Sequence, residues 1–322
     1  MLKCGHTFLL HCITKLFNKV LIYGSFPKLW SKGFIVPLFK SGSKDDPANY
    51  RGICIGSCLG KLFLKVLNNR LENFISKRNL KCDEQIGFCR GKRTSDHMFI
   101  LKTLIEKYTK QGVKHLYTCF IDFKKAFDKV WHIGLFFKLR EMGVSDLFYN
   151  VLKNMYLNTE LCVKASPDTL TDFFPSEIGV RQGDNLSPTL FKIFVNDLPG
   201  IFKEGCSPVS LLDNKLNCLL YADDLLLLSE SPDGLQTCIN RLSEYCDKWG
   251  LEINIKKSKV LIFNNTGKLS NSQFVYKNVK LENIKKYTYL GVTFTASGTF
   301  SDAKQDLTKK GLKALFKVKK MF

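Results

Sequence analysis

The stretch Leu219–Ser229 (LLYADDLLLLS) sets two adjacent acids between two runs of large apolar residues. Apolar runs of this length read as the strands of a buried hairpin, with Asp223 and Asp224 at its tip. No other segment constrains the fold as much. A buried hairpin needs sheet neighbours, and adjacent carboxylates raise each other's pKa unless something offsets their charge. A solvated surface turn, where aspartate is common, is the plainer reading. The flanks Leu219, Leu220, Tyr221 and Leu225–Leu228 argue for a core hairpin instead. Successive strand residues face opposite ways, so at most one acid of the pair points squarely into any one site. Further oxygen ligands must come from elsewhere, and Asp122 ends a second apolar strand, Leu116–Ile121.

Three carboxylates on strand ends suit Mg²⁺, which prefers one or two carboxylates together with phosphate oxygens of a substrate. Two such ions about 4 Å apart can clamp an in-line phosphoryl displacement. Charge points the same way. The chain has 322 residues, 49 of them Lys or Arg and 29 Asp or Glu, for a formal charge of +20. With 45% apolar residues there is enough for an ordinary core and too much for a disordered tail. The excess of positives implies a polyanion partner, meaning nucleic acid or an acidic membrane surface. A membrane-surface role for the basic C-terminal helix is weakened by its few large apolar residues. At roughly 150 residues per domain, the length allows two units or one large one.

The twelve cysteines include no C-x-x-C pair and read as reduced thiols of an intracellular protein. Cys4, His6, His11 and Cys12 offer possible zinc ligands at a spacing that matches no usual pattern. Thr7–Ile22 is apolar, but His11, Lys15 and Lys19 interrupt it and no small-residue cleavage site follows. It reads as an amphipathic helix rather than a signal peptide, so the chain is expected in the nucleus or cytoplasm and not secreted. No run of about 18 apolar residues suggests a membrane span. A Met1 leading almost directly into a helix suggests a chain cut from something longer.

Periodicity and breakers give helices over residues 1–24, 57–79, 95–111, 131–141, 146–157, 187–195, 232–249 and 302–322. Strands are expected over 33–39, 115–123, 159–163, 172–178, 251–255, 259–263 and 287–295, besides the acidic hairpin. The elements do not alternate strictly, so the fold class is α+β.

Ordered blocks in the chain resemble the reverse transcriptases of non-LTR (LINE-type) retrotransposons, from about residue 26 to about 295. Trp30, IVPLFKSG (Ile35–Gly42), NYRGI (Asn49–Ile53), Lys61 and NNRL (Asn68–Leu71) are similar to early fingers motifs. QIGFCRGKRTSDH (Gln85–His97) resembles the next fingers block. FIDFKKAFDKVWH (Phe120–His132), GVRQGDNLSPTLFKIFVNDL (Gly179–Leu198), YADD (Tyr221–Asp224) and WGLEINIKKSK (Trp249–Lys259) resemble palm motifs A to D. YLGV (Tyr289–Val292) resembles the primer-grip side of the palm–thumb junction. One YADD alone is weak; seven blocks in order are strong.

The resemblance implies a right-hand polymerase fold: fingers over 1–115, a palm with an antiparallel sheet and interleaved fingers elements over 116–265, and a palm–thumb junction with a truncated thumb over 266–322. It implies RNA-directed DNA polymerisation, with dNTPs, an RNA template and a DNA primer as partners and two Mg²⁺ ions, or Mn²⁺, as cofactor. Asp122, Asp223 and Asp224 would form the catalytic, metal-binding triad, with the backbone carbonyl of Phe123 completing one metal's shell. Phe127 would be the gate that excludes a 2′-hydroxyl. Gln182 and Gly183 would contact the incoming nucleotide, and Lys40 and Arg51 its triphosphate. Lys257 or Lys259 would protonate the departing pyrophosphate. Asp128 is expected as a buried pairing acid, Trp131 as a core aromatic, and Asp197 as a cap or brace for the motif B helix. Gly52 stands where the family often has Pro. No endonuclease precedes the fingers in this sequence and no zinc knuckle follows. The alternative is a catalytically inactive relic that only binds nucleic acid.

Overall fold

The computed structural model describes residues 7–110, 115–166 and 169–319. In chain order its first elements are α1 (Thr7–Tyr23), α2 (Lys28–Ser31), β1 (Lys32–Phe39), β2 (Tyr50–Gly56), α3 (Cys58–Lys77), α4 (Thr94–Lys110), β3 (His115–Asp122), α5 (His132–Glu141) and α6 (Asp146–Leu157). Then come β4 (Glu160–Ser166), β5 (Thr169–Leu170), β6 (Phe174–Pro175), α7 (Ser187–Phe194), β7 (Val209–Leu211), β8 (Asn214–Leu216), β9 (Cys218–Tyr221) and β10 (Asp224–Ser229). The remainder is α8 (Pro232–Trp249), β11 (Lys259–Asn264), β12 (Val275–Tyr276), β13 (Val279–Lys280), β14 (Glu282–Asn283), β15 (Lys286–Tyr289), β16 (Val292–Thr295) and α9 (Ser301–Lys319). Two compact units share the chain: residues 1–81 with 125–195, and residues 82–124 with 196–322.

In the first unit, β1 pairs antiparallel with β2 and parallel with β4, and the short strands β5 and β6 pair with β4. Phe17, Phe26, Trp30 and Phe63 meet at ring-centroid distances of 5.0–6.1 Å and form its aromatic core. Ser57 caps α3, its hydroxyl accepting a hydrogen bond from the Gly60 amide.

The second unit is built on the sheet β14-β11-β3-β10-β9, in which β14 alone pairs parallel. Phe120, Leu226, Leu228, Leu261 and Phe263 from this sheet bury against Leu101, Leu104 and Ile105 of α4 and against Tyr289 and Phe294 of the β15–β16 hairpin. Fully burying one such side chain contributes about 1.5–3 kcal/mol, so this layer anchors the strands that carry the acids. Ser231 caps the start of α8 through the Gly234 amide, and Gly250 at φ +68° ends it.

Three expected strands differ from what folds. Of Leu251–Ile255, only Ile253 bridges, to Phe123, because Leu251 is tied to the end of α8 and Asn254 starts a turn to Lys257 and Ser258. Tyr287–Thr295 is a hairpin, folded at Leu290 (φ +45°) and Gly291 (φ +88°). The 172–178 segment forms a ladder only at Phe174–Pro175, where a proline without an N–H limits it, and Ile178 adds an isolated bridge to Trp131. β2 and the small β7–β8 hairpin had no clear sequence pattern. All eleven described cysteines are free thiols. Cys4 and His6 of the possible zinc cluster lie outside the described residues. Among those residues no helix is long and apolar enough to cross a membrane.

Candidate active site

The acids of the second unit converge through strand register. Asp224, the first residue of β10, stands directly opposite Asp122, the last residue of β3. Directly opposed side chains share a face, with Cβ atoms about 4.5–5.5 Å apart. Alternation puts both acids on the face of Phe120 and Leu226, at the end where the apolar core stops. Asp223 occupies the two-residue turn between Tyr221 and Asp224. The Asp224 carboxyl keeps a solvent-exposed edge, yet packed surroundings and the charges of Asp223 and Asp122 push it up to about 6. Tyr287 stacks on Phe120 at 4.2 Å. Its phenol is pushed up to about 12, first by burial and then by Asp224 and Asp122.

The end of β3 is gripped from its other edge. The buried Ser258 hydroxyl accepts a hydrogen bond from the Asp122 amide (3.1 Å), and the Asn254 amide donates to the Asp122 carbonyl (2.7 Å). The Phe123–Ile253 bridge is flanked by that bond and by the Lys124 amide donating to the Glu252 carbonyl. Neither bond consumes the Phe123 carbonyl. Lys257 is exposed on the adjoining turn, whereas Lys259 sits on β11 in a 2.6 Å ion pair with Glu282.

The acidic turn itself is clamped by residues whose part in it the sequence did not reveal. Gln85 is 2% exposed; its amide nitrogen donates to the Ala222 carbonyl (3.1 Å) and its amide oxygen accepts from the Ala222 and Gly87 amides (both 2.9 Å). Ala222 takes φ +58°, a conformation that favours glycine, and these bonds hold it there. A Cβ on Gly87 would lie 2.1 Å from the Ala222 nitrogen, so only glycine fits. His97, also buried, lies 3.3 Å from the Tyr289 hydroxyl, and burial holds its imidazole down at about 4.

The first unit carries the residues expected to handle nucleotide. Lys40 follows β1, its amide bonded to Asn49, and Arg51 on β2 pairs with Leu38. Period-two alternation puts the exposed Lys40 and Arg51 on one face at the loop end of this hairpin. Gly183 takes φ +114°, and a Cβ there would meet the Cys54 carbonyl oxygen at 2.7 Å. The neighbouring Gln182 carbonyl accepts from the Cys54 amide (2.6 Å). The Gln182 side chain donates to Asp128 (2.8 Å). Asp128 is therefore a pairing acid but an exposed one, and Trp131 is 40% exposed rather than core. Both lie where the chain leaves the core for the edge pairing of Trp131 with Ile178. Phe127 is half-buried, its ring stacked on Phe191 of α7 at 4.5 Å. In the second unit, Asp197 accepts a hydrogen bond from Tyr245 on α8 (2.7 Å).

Sequence reasoning also passed over Arg181. It is 6% exposed and donates to the carbonyls of Trp30 (3.2 Å) and Ser31 (2.7 Å) and to the Thr159 hydroxyl (2.7 Å). It faces the buried Asp184 at 3.8 Å. Burial raises the Asp184 carboxyl, and Arg181 and Lys61 draw it back. Removing one partner of a buried ion pair strands the other, so Arg181→Met is expected to destabilise the protein by about 3–5 kcal/mol. Chemical denaturation measures this, and a change below about 1 kcal/mol would contradict the buried role.

Among the described residues no three His, Cys, Asp or Glu side chains stand together as a ready-made cation cage. The donors on hand are all oxygen: the paired Asp122 and Asp224, Asp223 beside them and the Phe123 carbonyl. That set fits a hard divalent ion completed by substrate oxygens. The raised Asp224 carboxyl marks the negative charge such an ion would offset.

Residues 40–294 match the family model described as reverse transcriptase (RNA-dependent DNA polymerase). The chain is 29% identical over 88% of its length to a probable RNA-directed DNA polymerase from transposon BS of Drosophila melanogaster, covering 32% of that protein. It is 28% identical over 91% of its length to the RNA-directed DNA polymerase from mobile element jockey of the same fly, again covering 32% of the relative. A type-1 retrotransposable element R2 Pol polyprotein of Nasonia vitripennis is 28% identical over 89% of the chain, which covers 28% of it. The chain thus spans about a third of the length of these relatives. The telomerase of Candida tropicalis, truncated from its C-terminal domain, shares the fold, with a TM-score of 0.60 at 14% identity over 87% of this chain and 57% of that one. With four-fifths of its residues inside the family model and relatives among non-LTR retrotransposon polymerases, the chain belongs to the reverse transcriptase family.

Proposed function

We propose that this chain is the polymerising core of an RNA-directed DNA polymerase that joins dNTPs to the 3′-hydroxyl of a primer on an RNA template. The observation that carries the reading is the register pairing of Asp122 with Asp224, with Asp223 on the adjoining turn, in a chain of this family. Asp122, Asp223, Asp224 and the Phe123 carbonyl would hold two Mg²⁺ ions, or Mn²⁺. Bound divalent ions at such a site lower the pKa of the attacking hydroxyl and offset charge on the departing pyrophosphate.

In this reading the chain's own residues bind and orient. Arg51 grips the triphosphate as a planar fork and Lys40 as a point charge. Gly183 lets the backbone approach the nucleotide, and Gln182 hydrogen-bonds its sugar. The Phe127 ring, backed by Phe191, fills the space a 2′-hydroxyl would need. The primer hydroxyl passes its proton to solvent water and its oxygen bonds to the α-phosphorus. The bond to pyrophosphate breaks, and Lys257 donates the proton that the pyrophosphate takes. Lys257 is preferred over Lys259 because Glu282 already engages the latter. The division into fingers (1–115), palm (116–265) and palm–thumb junction (266–322) is proposed on the order of the sequence blocks.

The charge of +20 favours a second reading, in which the chain only binds nucleic acid. Affinity would then fall steeply with salt and no nucleotide would be added. Single-nucleotide incorporation on a primed RNA template separates the two. Addition of the complementary dNTP in the presence of Mg²⁺ is expected, and tight binding without addition supports the second reading.

A further inference from the structure

Phe88 is strained and exposed at once. It adopts φ +56° and remains 53% exposed, between the buried Ile86 and Cys89. A bulky side chain in the left-handed region is uncommon and unfavourable, and a residue serving only the turn would be glycine or asparagine. Strain retained in an exposed position points from structure toward use.

Its placement says which use. Gln85 bridges parallel to Leu220, and the Ile86 amide donates to the Leu220 carbonyl (3.0 Å). Gly87 then lies against the Ala222 backbone. Phe88 follows Gly87 directly and so stands on the turn beside Ala222, the neighbour of Asp223. Turn bonds from the Cys89 amide to the Ile86 carbonyl and from the Lys92 amide to the Cys89 carbonyl (both 3.2 Å) fix the chain on either side. Arg90, Lys92 and Arg93 follow, all exposed. A rigidly held aromatic followed by cations is the combination that holds single-stranded nucleic acid. Bases stack on the ring whatever their identity, and the cations track the phosphates.

We propose that Phe88 is a base-stacking platform for the unpaired template strand, fixed beside the acidic turn by the Gln85–Gly87 clamp. The inference rests on the reading of the chain as a template-copying enzyme and deepens it by naming a residue that positions the template. Arg90, Lys92 and Arg93 supply the phosphate contacts on the same loop.

Two substitutions pull strain and stacking apart. Phe88→Gly removes the ring and also the backbone strain; Phe88→Trp keeps a ring. The full-length chain and both variants are titrated with a fluorescent primer–RNA template carrying a single-stranded overhang, and with a blunt duplex. Phe88→Gly is expected to melt at or above the wild-type temperature and to bind the overhang about 5- to 150-fold more weakly. The blunt duplex is barely affected, template KM rises with the weaker binding, and Phe88→Trp restores the affinity. Overhang binding within about twofold of wild type, or a loss that tracks a fall in melting temperature, overturns the proposal. A wild type that binds the overhang yet adds no nucleotide defeats the polymerase reading alone. A Phe88→Gly variant that binds like wild type, in a chain that extends, defeats this inference alone.

Discussion

Asp224→Asn is expected to abolish nucleotide addition while making the metal-free protein more stable at neutral pH. Activity should fall by about 10³-fold or more, because the substitution removes an anionic ligand from the all-oxygen donor set. The stability gain follows from the Asp224 carboxyl, which burial, Asp223 and Asp122 push up to about 6. In the unfolded chain the group titrates near 4. Between these two values the folded protein holds the proton more tightly, so stability falls as pH rises from about 4 to about 6 and stays at the lower level above. Asparagine has no charge to repel. The variant should therefore melt above wild type at pH 7.5 and level with it near pH 4 in EDTA. Mg²⁺ at pH 7.5 should raise the wild-type melting temperature and move the variant's less. Thermal melts at the two pH values, with and without Mg²⁺, check this. A variant less stable than wild type at pH 7.5 would mean that Asp224 is a structural acid rather than one held at a cost for function.

Gly87→Ala should be the most damaging substitution of a single methyl group. The added Cβ would lie 2.1 Å from the Ala222 nitrogen, a backbone atom that moves only with the turn. Shifting the turn also breaks the Gln85 clamp and changes where Asp223 stands relative to Asp122 and Asp224. Overpacking of this kind costs about 1–3 kcal/mol. A displacement of about 1 Å at reacting groups can cost about 10²-fold in rate. The control is Gly56→Ala, where an added Cβ meets nothing within 4 Å and stability should stay within about 0.5 kcal/mol of wild type. Denaturant midpoints and incorporation rates for the pair measure both effects. Equal behaviour of the two variants would show that Gly87 does not confine the turn.

What the sequence revealed and what it hid divides along a physical line. The acidic hairpin was legible because two buried strands and a tight turn leave a local pattern, apolar runs broken by Ala222 and the aspartates. The helix start at Ser57 and the helix end at Gly250 were equally local. Asp122 could be paired with this hairpin because an apolar strand that ends in an acid is itself a short-range signal. The clamp of Gln85 on Ala222 joins residues 137 apart through a side chain and a backbone, and such a bond leaves no periodicity. The grip of Ser258 on the Asp122 amide, 136 residues away, is of the same kind. Arg181 looked like one more surface cation in a chain with 49 basic residues, because composition cannot tell which arginine is buried. Leu251–Ile255 alternates like a strand, yet its bonds go to the end of α8 and to β3 rather than along a ladder.

In the proposed reading, paired carboxylates at the head of the second unit's sheet perform template-directed nucleotide addition. Its most direct test compares wild type and Asp122→Ala for incorporation of one complementary dNTP on a primed RNA template, with Mg²⁺ present and with EDTA. Wild type is expected to add the nucleotide only with Mg²⁺, and Asp122→Ala to add none despite equal primer–template binding. Equal rates for the two proteins, or wild-type addition that persists in EDTA, would contradict it.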